Sequence, residues 1–240
     1  MFSFLKKKEE PAQAGIPAGL LSIRETLYTN ASLDPFLARL QPDVTAEYPW
    51  RSFAEANEAL KSGDKNLAIA KLKEITAAQQ GIGTRIRLQA WHTLASLGEQ
   101  PVESLRGYTQ GVILENHTAK GLDIVAAYSD YSARYFNPSG TGVVWDAREK
   151  EIDQLILNLL SVGFEIAKRI GVGLHDMPAI PPQGYVRIFI MAYDGSTVGQ
   201  GPYEQLYKDP MGKVAIDTGL KLMHALMKKH KDKNSVAHFV

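Results

Sequence analysis

The sequence predicts an α+β protein, in which an N-terminal helical segment precedes an antiparallel sheet of five to six strands with two helices packed on it. Three observations support this class. Apolar residues recur every three to four positions as far as residue 98, short runs rich in Val, Ile, Tyr and Phe begin after Gly107, and two long amphipathic stretches flank the strongest of these runs. Helices segregated from an antiparallel sheet define the α+β class.

The composition is typical of a folded domain. The chain has 240 residues, of which 45% are hydrophobic and 22% charged, and it contains no cysteine. These values exclude a disordered chain, a disulfide scaffold and a zinc-thiolate site. Lys and Arg number 27 and Asp and Glu number 26, so the net charge is +1. Nucleic-acid binding depends on a broad positive field, and we therefore expect no nucleic-acid partner.

Changes in periodicity divide the chain into four parts. Residues 1–19 contain Pro and Gly but little apolar periodicity, which predicts a flexible tether. Residues 20–105 form the helical segment, residues 106–232 the α+β domain, and residues 233–240 a C-terminal tail.

Neither a secretory signal nor a transmembrane helix is predicted. The most apolar stretch, residues 154–164, is much shorter than the roughly 20 residues that cross a bilayer. In Met1–Lys8 the charges follow the apolar residues, whereas a secretory signal has the reverse order. We therefore expect a cytoplasmic protein. Peripheral contact of Met1–Lys8 with an anionic membrane is a secondary alternative to a solvated terminus.

Residues 51–98 contain three amphipathic stripes separated by two breaks. The first break is the turn Ser62–Asp64, and the second contains Gly81 and Gly83. The stripes consist of Phe53, Ala56, Ala59 and Leu60, then Leu67, Ala68, Ala70, Leu72 and Ile75, then Ile86, Ala90, Leu94 and Leu97. We predict three helices joined by short turns.

This pattern resembles the tetratricopeptide repeat over residues 52–98. Ala90 lies 34 residues after Ala56, which is the period of that repeat. The other matching positions are the turn Ser62–Asp64, Ala68, Leu72 and Ile75. The resemblance implies a concave face that holds a peptide of a partner protein.

The resemblance is partial. Ser52 stands where the family has a large aromatic residue, and Gln80 stands where it has a closing proline. A free-standing repeat protein usually needs about three repeats, so we expect these helices to pack on another part of the chain. A helical cap over the following domain is the alternative to peptide binding.

Four short runs predict an antiparallel meander. They occupy residues 112–114, 121–130, 131–137 and 142–146, with turn-forming residues between them. Through the run GLDIVAAYSDYSARYFNPSGTGVVWD, residues 107–240 resemble an uncharacterised bacterial family, and this resemblance implies no activity.

The rest of the chain alternates helices with strands. Asp146 and Glu149 resemble a capping box that starts a long helix, which Gly171 ends. A strand then follows at Tyr185–Tyr193, and a last helix at residues 213–230. Between these two elements we expect a flexible loop around residues 199–201 and a short strand at residues 203–207.

The Tyr185–Tyr193 strand has two different faces. Val186, Ile188, Ile190 and Ala192 form an aliphatic face that should pack on the long helix. The other face consists of Tyr185, Arg187, Phe189, Met191 and Tyr193. Aromatic residues around an arginine are typical of a protein interface or a stacking platform, and the face is a candidate binding site. A cover supplied by the N-terminal helices or the last helix explains the same residues.

Three polar residues of the meander are further candidates. Arg134 shares a strand face with Ser132 and Phe136, where it could clamp an anion or cover the sheet with its stem. Two of the meander carboxylates, Glu115, Asp123, Asp130 and Asp146, could converge as an acid/base or magnesium pair. Asp123 and Asp130 beside Arg134 would then be the site of a small enzyme. Capping of turns is the alternative role for both carboxylates.

The sequence contains no motif that identifies a reaction. GxxxxGK[ST], GxGxxG and GxSxG are absent, and His224 and His230 lie on different sides of one predicted helix. We therefore predict no catalytic residue, no metal and no cofactor. The favoured function is a non-enzymatic adaptor or assembly component that binds a protein partner or itself through the helical segment and the Tyr185–Tyr193 face. A hydrolase-type enzyme and a small-molecule sensor are the alternatives.

Overall fold

The computed structural model describes residues 18–40, 46–78, 80–173 and 177–236. The helices before the sheet are α1 (Ala18–Tyr28), α2 (Leu33–Leu37), α3 (Trp50–Lys61), α4 (Lys65–Ala77) and α5 (Thr84–Ser96). The strands are β1 (Gly111–Thr118), β2 (Gly121–Tyr128), β3 (Ala133–Phe136), β4 (Gly142–Trp145), β5 (Tyr185–Ala192) and β6 (Gly195–Pro202). The other helices are α6 (Lys150–Ile170), α7 (Tyr203–Leu206) and α8 (Pro210–Val236). The predicted α+β class is confirmed.

The strands form one antiparallel sheet in the order β4-β3-β2-β1-β5-β6. β1 to β4 are the predicted meander. α6 then carries the chain back across the sheet, so that β5 pairs with the second side of β1 and β6 forms an edge. β1 and β5 therefore lie in the middle of the sheet.

One face of the sheet packs against α6 and α8. The aliphatic residues of β5, Val186, Ile188 and Ile190, join the buried residues of α6 in one apolar cluster, as predicted. Gly163 of α6 lies directly over β1, where a Cβ would come within 2.6 Å of Val112 Cγ2. The absence of a side chain at Gly163 therefore allows the long helix to pack closely on the sheet.

The other face of the sheet packs against α1 and α5. Leu27 and Tyr28 of α1 and Leu88 of α5 are buried against the side chains of β1, β2 and β5. The hydroxyl of Tyr128 donates a hydrogen bond of 2.9 Å to the carbonyl of Leu27, which is buried. The sheet thus lies between two layers of helices.

The three predicted helices of residues 51–98 are present as α3, α4 and α5. Gly63, with φ of +84°, makes the turn between α3 and α4 in the left-handed region that favours glycine. Asp64 then caps α4, because its carboxylate accepts a hydrogen bond of 2.9 Å from the amide of Leu67. The apolar stripes of these helices form a cluster with Leu33, and Tyr193 packs against its border.

The expected loop around residues 199–201 is wrong, because these residues belong to β6. β6 pairs with β5 along its whole length, from Ala192 opposite Gly195 to Tyr185 opposite Pro202. At Gly195 a Cβ would lie 2.4 Å from the carbonyl oxygen of Gly173, so only glycine fits there. Pairing with β5 therefore imposes a strand on a sequence whose glycines suggest a loop.

Two further boundaries differ from the prediction. The expected strand at residues 203–207 is the short helix α7. The long helix begins at Lys150 rather than after Asp146, because the Asp146 carboxylate accepts a hydrogen bond of 2.7 Å from Arg134. Asp153 takes the capping role, and its Oδ1 lies 3.4 Å from the amide nitrogen of Glu149.

Residues 1–17 and 237–240 lie outside the described part of the chain, and so does the Met1–Lys8 segment considered for membrane contact. Within the described part, no helix combines the length and the apolar character that crossing a bilayer requires.

Candidate functional site

The candidate binding face of β5 lies beneath α1. Phe189 and Met191 are 1% and 3% exposed, and the rings of Phe189 and Tyr28 have centroids 4.7 Å apart. Tyr185 and Tyr193, at the two ends of the face, are partly exposed. In this structure the face therefore contacts α1, and a cover by the N-terminal helices was the alternative expected for these residues. Its use as a partner interface stays a prediction and would require α1 to move.

A buried ion cluster lies between α1 and the sheet. The Arg24 guanidinium binds the Glu115 carboxylate through Nε to Oε1 at 2.5 Å and through Nη2 to Oε2 at 3.3 Å. Arg187 Nη1 donates to the same Oε2 at 2.9 Å. None of the three residues is more than 3% exposed. A buried ion pair contributes little net stability but penalises other arrangements, so it fixes the position of α1 on the sheet.

Two further residues complete this cluster. Gln200 of β6 lies opposite Arg187, and its Oε1 accepts hydrogen bonds from Nε, at 2.8 Å, and from Nη2 of the guanidinium. Tyr28 lies beneath Arg24, whose guanidinium carbon is 5.2 Å from the ring centroid. Burial, with a smaller effect of the Glu115 carboxylate, raises the pKa of the Tyr28 phenol. The phenol therefore stays neutral at physiological pH.

Arg24 was not predicted as a site residue, and Glu115 was expected only as one of the meander carboxylates that could pair with each other. Each interrupts an apolar pattern, since Arg24 follows Ile23 on the buried side of α1 and Glu115 follows Leu114 in a buried strand. A charged residue in such a pattern signals a buried partner. The sequence does not show which residues pair, because 91 positions separate Arg24 from Glu115.

Arg134 is buried within the sheet rather than facing a cleft. Its Nη1 donates to the carbonyls of Ala133 and Trp145, each at 2.8 Å, and its Nη2 donates to Asp146 at 2.7 Å. The guanidinium therefore fixes the end of β4 to β3. These acceptors occupy much of the donor capacity that an anion clamp would use.

Asp123 and Asp130 are not brought together. Asp123 lies near the start of β2 and accepts a hydrogen bond of 2.9 Å from the Tyr135 hydroxyl. Burial and this hydrogen bond raise the pKa of Tyr135 to about 12. Asp130 follows the other end of β2, and the intervening strand spans roughly 17 Å. The carboxylates therefore form no acid/base pair in this structure.

Asp130 joins the sheet to the helical segment. Its Oδ2 accepts a hydrogen bond of 2.8 Å from the amide of Thr84, the first residue of α5, and its Oδ1 accepts one of 3.0 Å from the amide of Ser132. Burial alone would raise the pKa of Asp130, but these hydrogen bonds outweigh it and hold the pKa below its ordinary value. The ionised carboxylate therefore stabilises the folded chain.

Replacing Asp130 by Ala is expected to destabilise the protein by about 1 to 2 kcal/mol at neutral pH, because the start of α5 loses its cap. A lowered pKa contributes stability above the unfolded pKa, and this contribution is lost as the pH falls through the folded value. Urea unfolding of both proteins at pH 7 and near pH 3 measures the difference. The difference should shrink at the lower pH, and a constant difference would show that the charge is not responsible.

Little space remains between the sheet and its cover. The cavity where α1 and α5 meet β5 and β6 measures about 30 Å³. A cavity of this size holds one or two water molecules. Within the described ranges, no group of three or more His, Asp or Glu side chains is arranged to bind a metal ion.

A larger groove lies between α3 and α5, and the residues that connect α1 to α2 border it. The groove has a volume of about 570 Å³. Its lining consists of Asn30, Ala31, Ser32, Leu33, Asp34, Asn57, Leu60, Lys61, His92, Thr93 and Ser96. We call it the α3–α5 groove. It lies between the first and third helices of the predicted repeat-like segment.

Side chains of α3 and α5 hold the segment of the same chain that forms one wall of this groove. Gln89 of α5 donates a hydrogen bond of 2.7 Å to the carbonyl of Ala31. Asn57 of α3 donates one of 2.7 Å to Oδ1 of Asp34, and Lys61 Nζ lies 3.0 Å from the same oxygen. Leu33 is buried between these contacts. At the border of the groove, α3 and α5 thus bind a backbone carbonyl and a carboxylate of one short segment and bury its apolar side chain.

The segment continues into an aromatic contact. Phe36 packs edge-on against Phe53 of α3, with ring centroids 5.0 Å apart. The ring centroids of Phe36 and Trp50 are 6.1 Å apart. The hydrogen bond from Asn57, together with the Lys61 ammonium, lowers the pKa of the Asp34 carboxyl. Asp34 therefore stays ionised, and its charge favours the observed position of the segment.

Neither a comparison with profiles of known protein families nor a search of curated proteins finds a match to this chain. The resemblance of residues 52–98 to the tetratricopeptide repeat, and of residues 107–240 to an uncharacterised bacterial family, stay predictions from the sequence.

Proposed function

We propose that this protein is a non-enzymatic binding protein, an adaptor or assembly component that holds a short segment of a protein partner in the α3–α5 groove. The observation that supports this proposal is the set of contacts to the chain's own residues 31–36. Gln89 binds a backbone carbonyl there, and Asn57 and Lys61 bind a carboxylate. A groove that binds these groups in its own chain has the chemistry to bind them in another chain.

The contacts define the partner segment by its chemistry. The contacts of Lys61 and Asn57 with Asp34 favour an acidic side chain in the partner. By analogy with the chain's own segment, we expect an apolar residue one position before it, as at Leu33, and an aromatic residue two positions after it, as at Phe36. We expect the partner to present this pattern in an extended or short helical segment, because the chain's own segment is an extended loop followed by α2.

The proposal assigns different roles to the two candidate surfaces. The α3–α5 groove is open to solvent, whereas Phe189 and Met191 of the β5 face are buried under α1. A partner segment that makes these contacts displaces the chain's own residues 31–36, whereas a partner at the β5 face displaces α1. We take the partner to be a protein, because the net charge of +1 gives no general attraction for nucleic acid, and we include a cytoplasmic location in the proposal.

Titration of a labelled peptide tests the proposal. The peptide corresponds to residues 30–40, NASLDPFLARL, and the protein is the full chain carrying Asp34→Ala. This variant weakens the hold of the groove on its own segment, which otherwise competes at a high effective concentration. Fluorescence anisotropy should show several-fold tighter binding to the Asp34→Ala protein than to the wild type.

Glu58→Ala is the matched control, because Glu58 also contacts Lys61, at 3.1 Å, but does not line the groove. The control protein should bind the peptide as weakly as the wild type. A peptide in which Asp34 and Phe36 are both replaced by Ala should bind neither the wild type nor the Asp34→Ala protein.

The proposal fails if the native peptide binds neither the wild type nor the Asp34→Ala protein. It also fails if the substituted peptide binds as tightly as the native one. A rise in mass with protein concentration would indicate that a second copy is the partner.

A further inference from the structure

The buried Arg187 guanidinium presents one edge to a neutral and exposed side chain. Nε and Nη2 form this edge, and both donate to the same oxygen, Oε1 of Gln200, with the Nε contact at 2.8 Å. Arg187 is only 3% exposed, whereas Gln200 is exposed to solvent on the edge strand β6. Gln200 thus separates a buried cation from the solvent.

The cluster around Arg187 carries an excess positive charge. Arg24 and Arg187 contribute two positive charges and Glu115 one negative charge, and all three side chains are buried. The other acceptors of these guanidiniums, Gln200 Oε1 and the carbonyl of Pro178, are neutral. No second carboxylate among the described residues is hydrogen-bonded to either arginine. A buried charge is costly unless an opposite charge accompanies it.

The geometry of the exposed edge matches an oxyanion. The planar guanidinium fork directs two parallel N–H bonds, and carboxylate and phosphate groups accept both with separate oxygens. Here the two donors share one amide oxygen. The Glu115 carboxylate accepts a hydrogen bond from Nη1 of Arg187. Its negative charge therefore lies on the opposite side of the guanidinium from the edge that Gln200 covers.

Gln200 is able to leave this position without disturbing the sheet. Its backbone stays paired opposite Arg187, and its side chain forms hydrogen bonds with Arg187 alone in the described part of the chain. Rotation of an exposed side chain is fast and costs little compared with a backbone movement. The Nε and Nη2 donors then face solvent.

We propose that Arg187 is the centre of an oxyanion site that Gln200 covers, and that a small carboxylate or phosphate displaces the Gln200 amide to bind Nε and Nη2. The ligand supplies the negative charge that the Arg24–Glu115–Arg187 cluster lacks. This site is distinct from the α3–α5 groove.

Thermal unfolding of the full chain tests this site. The probes are phosphate, acetate and chloride at equal ionic strength, with the wild type, Gln200→Glu and Gln200→Ala. We expect phosphate or acetate to raise the wild-type Tm by at least about 3 °C over chloride, since a ligand that binds only the folded state stabilises it. A response to phosphate alone assigns a phosphate ligand, and a response to acetate alone assigns a carboxylate.

The variants separate this site from general salt effects. Gln200→Glu places a carboxylate on the guanidinium edge, so its Tm in chloride should exceed that of the wild type and should no longer respond to the oxyanions. Gln200→Ala uncovers the edge and should respond at lower oxyanion concentrations. Gln205→Glu, an exposed substitution on α7, adds the same charge away from the cluster and should keep the wild-type response.

A direct readout accompanies the melting curves. The Nε–H resonance of Arg187 should shift on addition of the effective oxyanion and should stay unchanged in chloride. The proposal is overturned if the oxyanions raise the Tm of the wild type and of Gln200→Glu equally, or if Gln200→Glu lowers the Tm. An unchanged Arg187 resonance in the presence of both oxyanions also overturns it.

Discussion

Replacing Glu115 by Gln should lower the free energy of unfolding by about 3 to 5 kcal/mol, because it leaves two buried guanidiniums without an opposite charge. Both Arg24 and Arg187 depend on this carboxylate, and both are at most 3% exposed. Gln retains the shape of the side chain, so the loss reports charge rather than volume. Urea unfolding followed by circular dichroism measures it.

Two controls define the meaning of that result. Glu58→Gln removes a carboxylate whose side chain is 73% exposed, and it should change stability by less than about 0.5 kcal/mol. Replacing Arg24, Glu115 and Arg187 together by Leu, Leu and Met should recover much of the stability, since apolar residues of similar volume often substitute for a buried ion cluster. A loss below about 1 kcal/mol for Glu115→Gln would show that water reaches the guanidiniums.

Replacing Phe189 by Ala should destabilise the protein by about 3 to 5 kcal/mol, because a buried aromatic side chain is removed and its space is not refilled. Phe189 is 1% exposed and packs against Tyr28 of α1. The substitution therefore removes part of the apolar contact between the sheet and α1. Thermal unfolding measures the effect. Leu157→Ala on α6, where the side chain is 42% exposed, is the control and should have little effect.

The same variant distinguishes a cover from an interface between chains. If Phe189 belongs to the interior of one chain, the substitution lowers stability and leaves the mass of the folded protein unchanged. Light scattering across a concentration series measures that mass. A fall in mass with unchanged unfolding in dilute solution would contradict the assignment of Phe189 to the core and would support an interface on β5.

The sequence predicted the elements with strong periodicity. α3, α4 and α5 follow stripes with breaks at residues 62–64 and 81–83, and the two faces of β5 follow from strict alternation. β6 was missed because three glycines and a proline give it no pattern of its own. Its structure comes from pairing with β5, and such pairing is a tertiary effect that local propensity does not contain.

The candidate sites were predictable only in part. Alternation placed Arg187 and Phe189 on one face of the strand, but it did not identify α1 as the element that covers them. Arg187 and Glu115 are 72 residues apart, and their contact depends on the sheet register. The resemblance to the tetratricopeptide repeat implied a concave peptide-binding face on the helices of residues 52–98. It did not reveal that Asp34 and Phe36 of the same chain already contact this face.

The central claim is that the α3–α5 groove binds a peptide, and the side-chain amides of Asn57 and Gln89 report on it directly. Both amide groups donate hydrogen bonds into the segment that a partner would replace. Two-dimensional NMR of the Asp34→Ala protein, with and without the residue 30–40 peptide, observes their signals. We predict that the Asn57 and Gln89 side-chain signals shift and that those of Gln154 and Asn158 on α6 do not. Unchanged Asn57 and Gln89 signals at saturating peptide would contradict the claim.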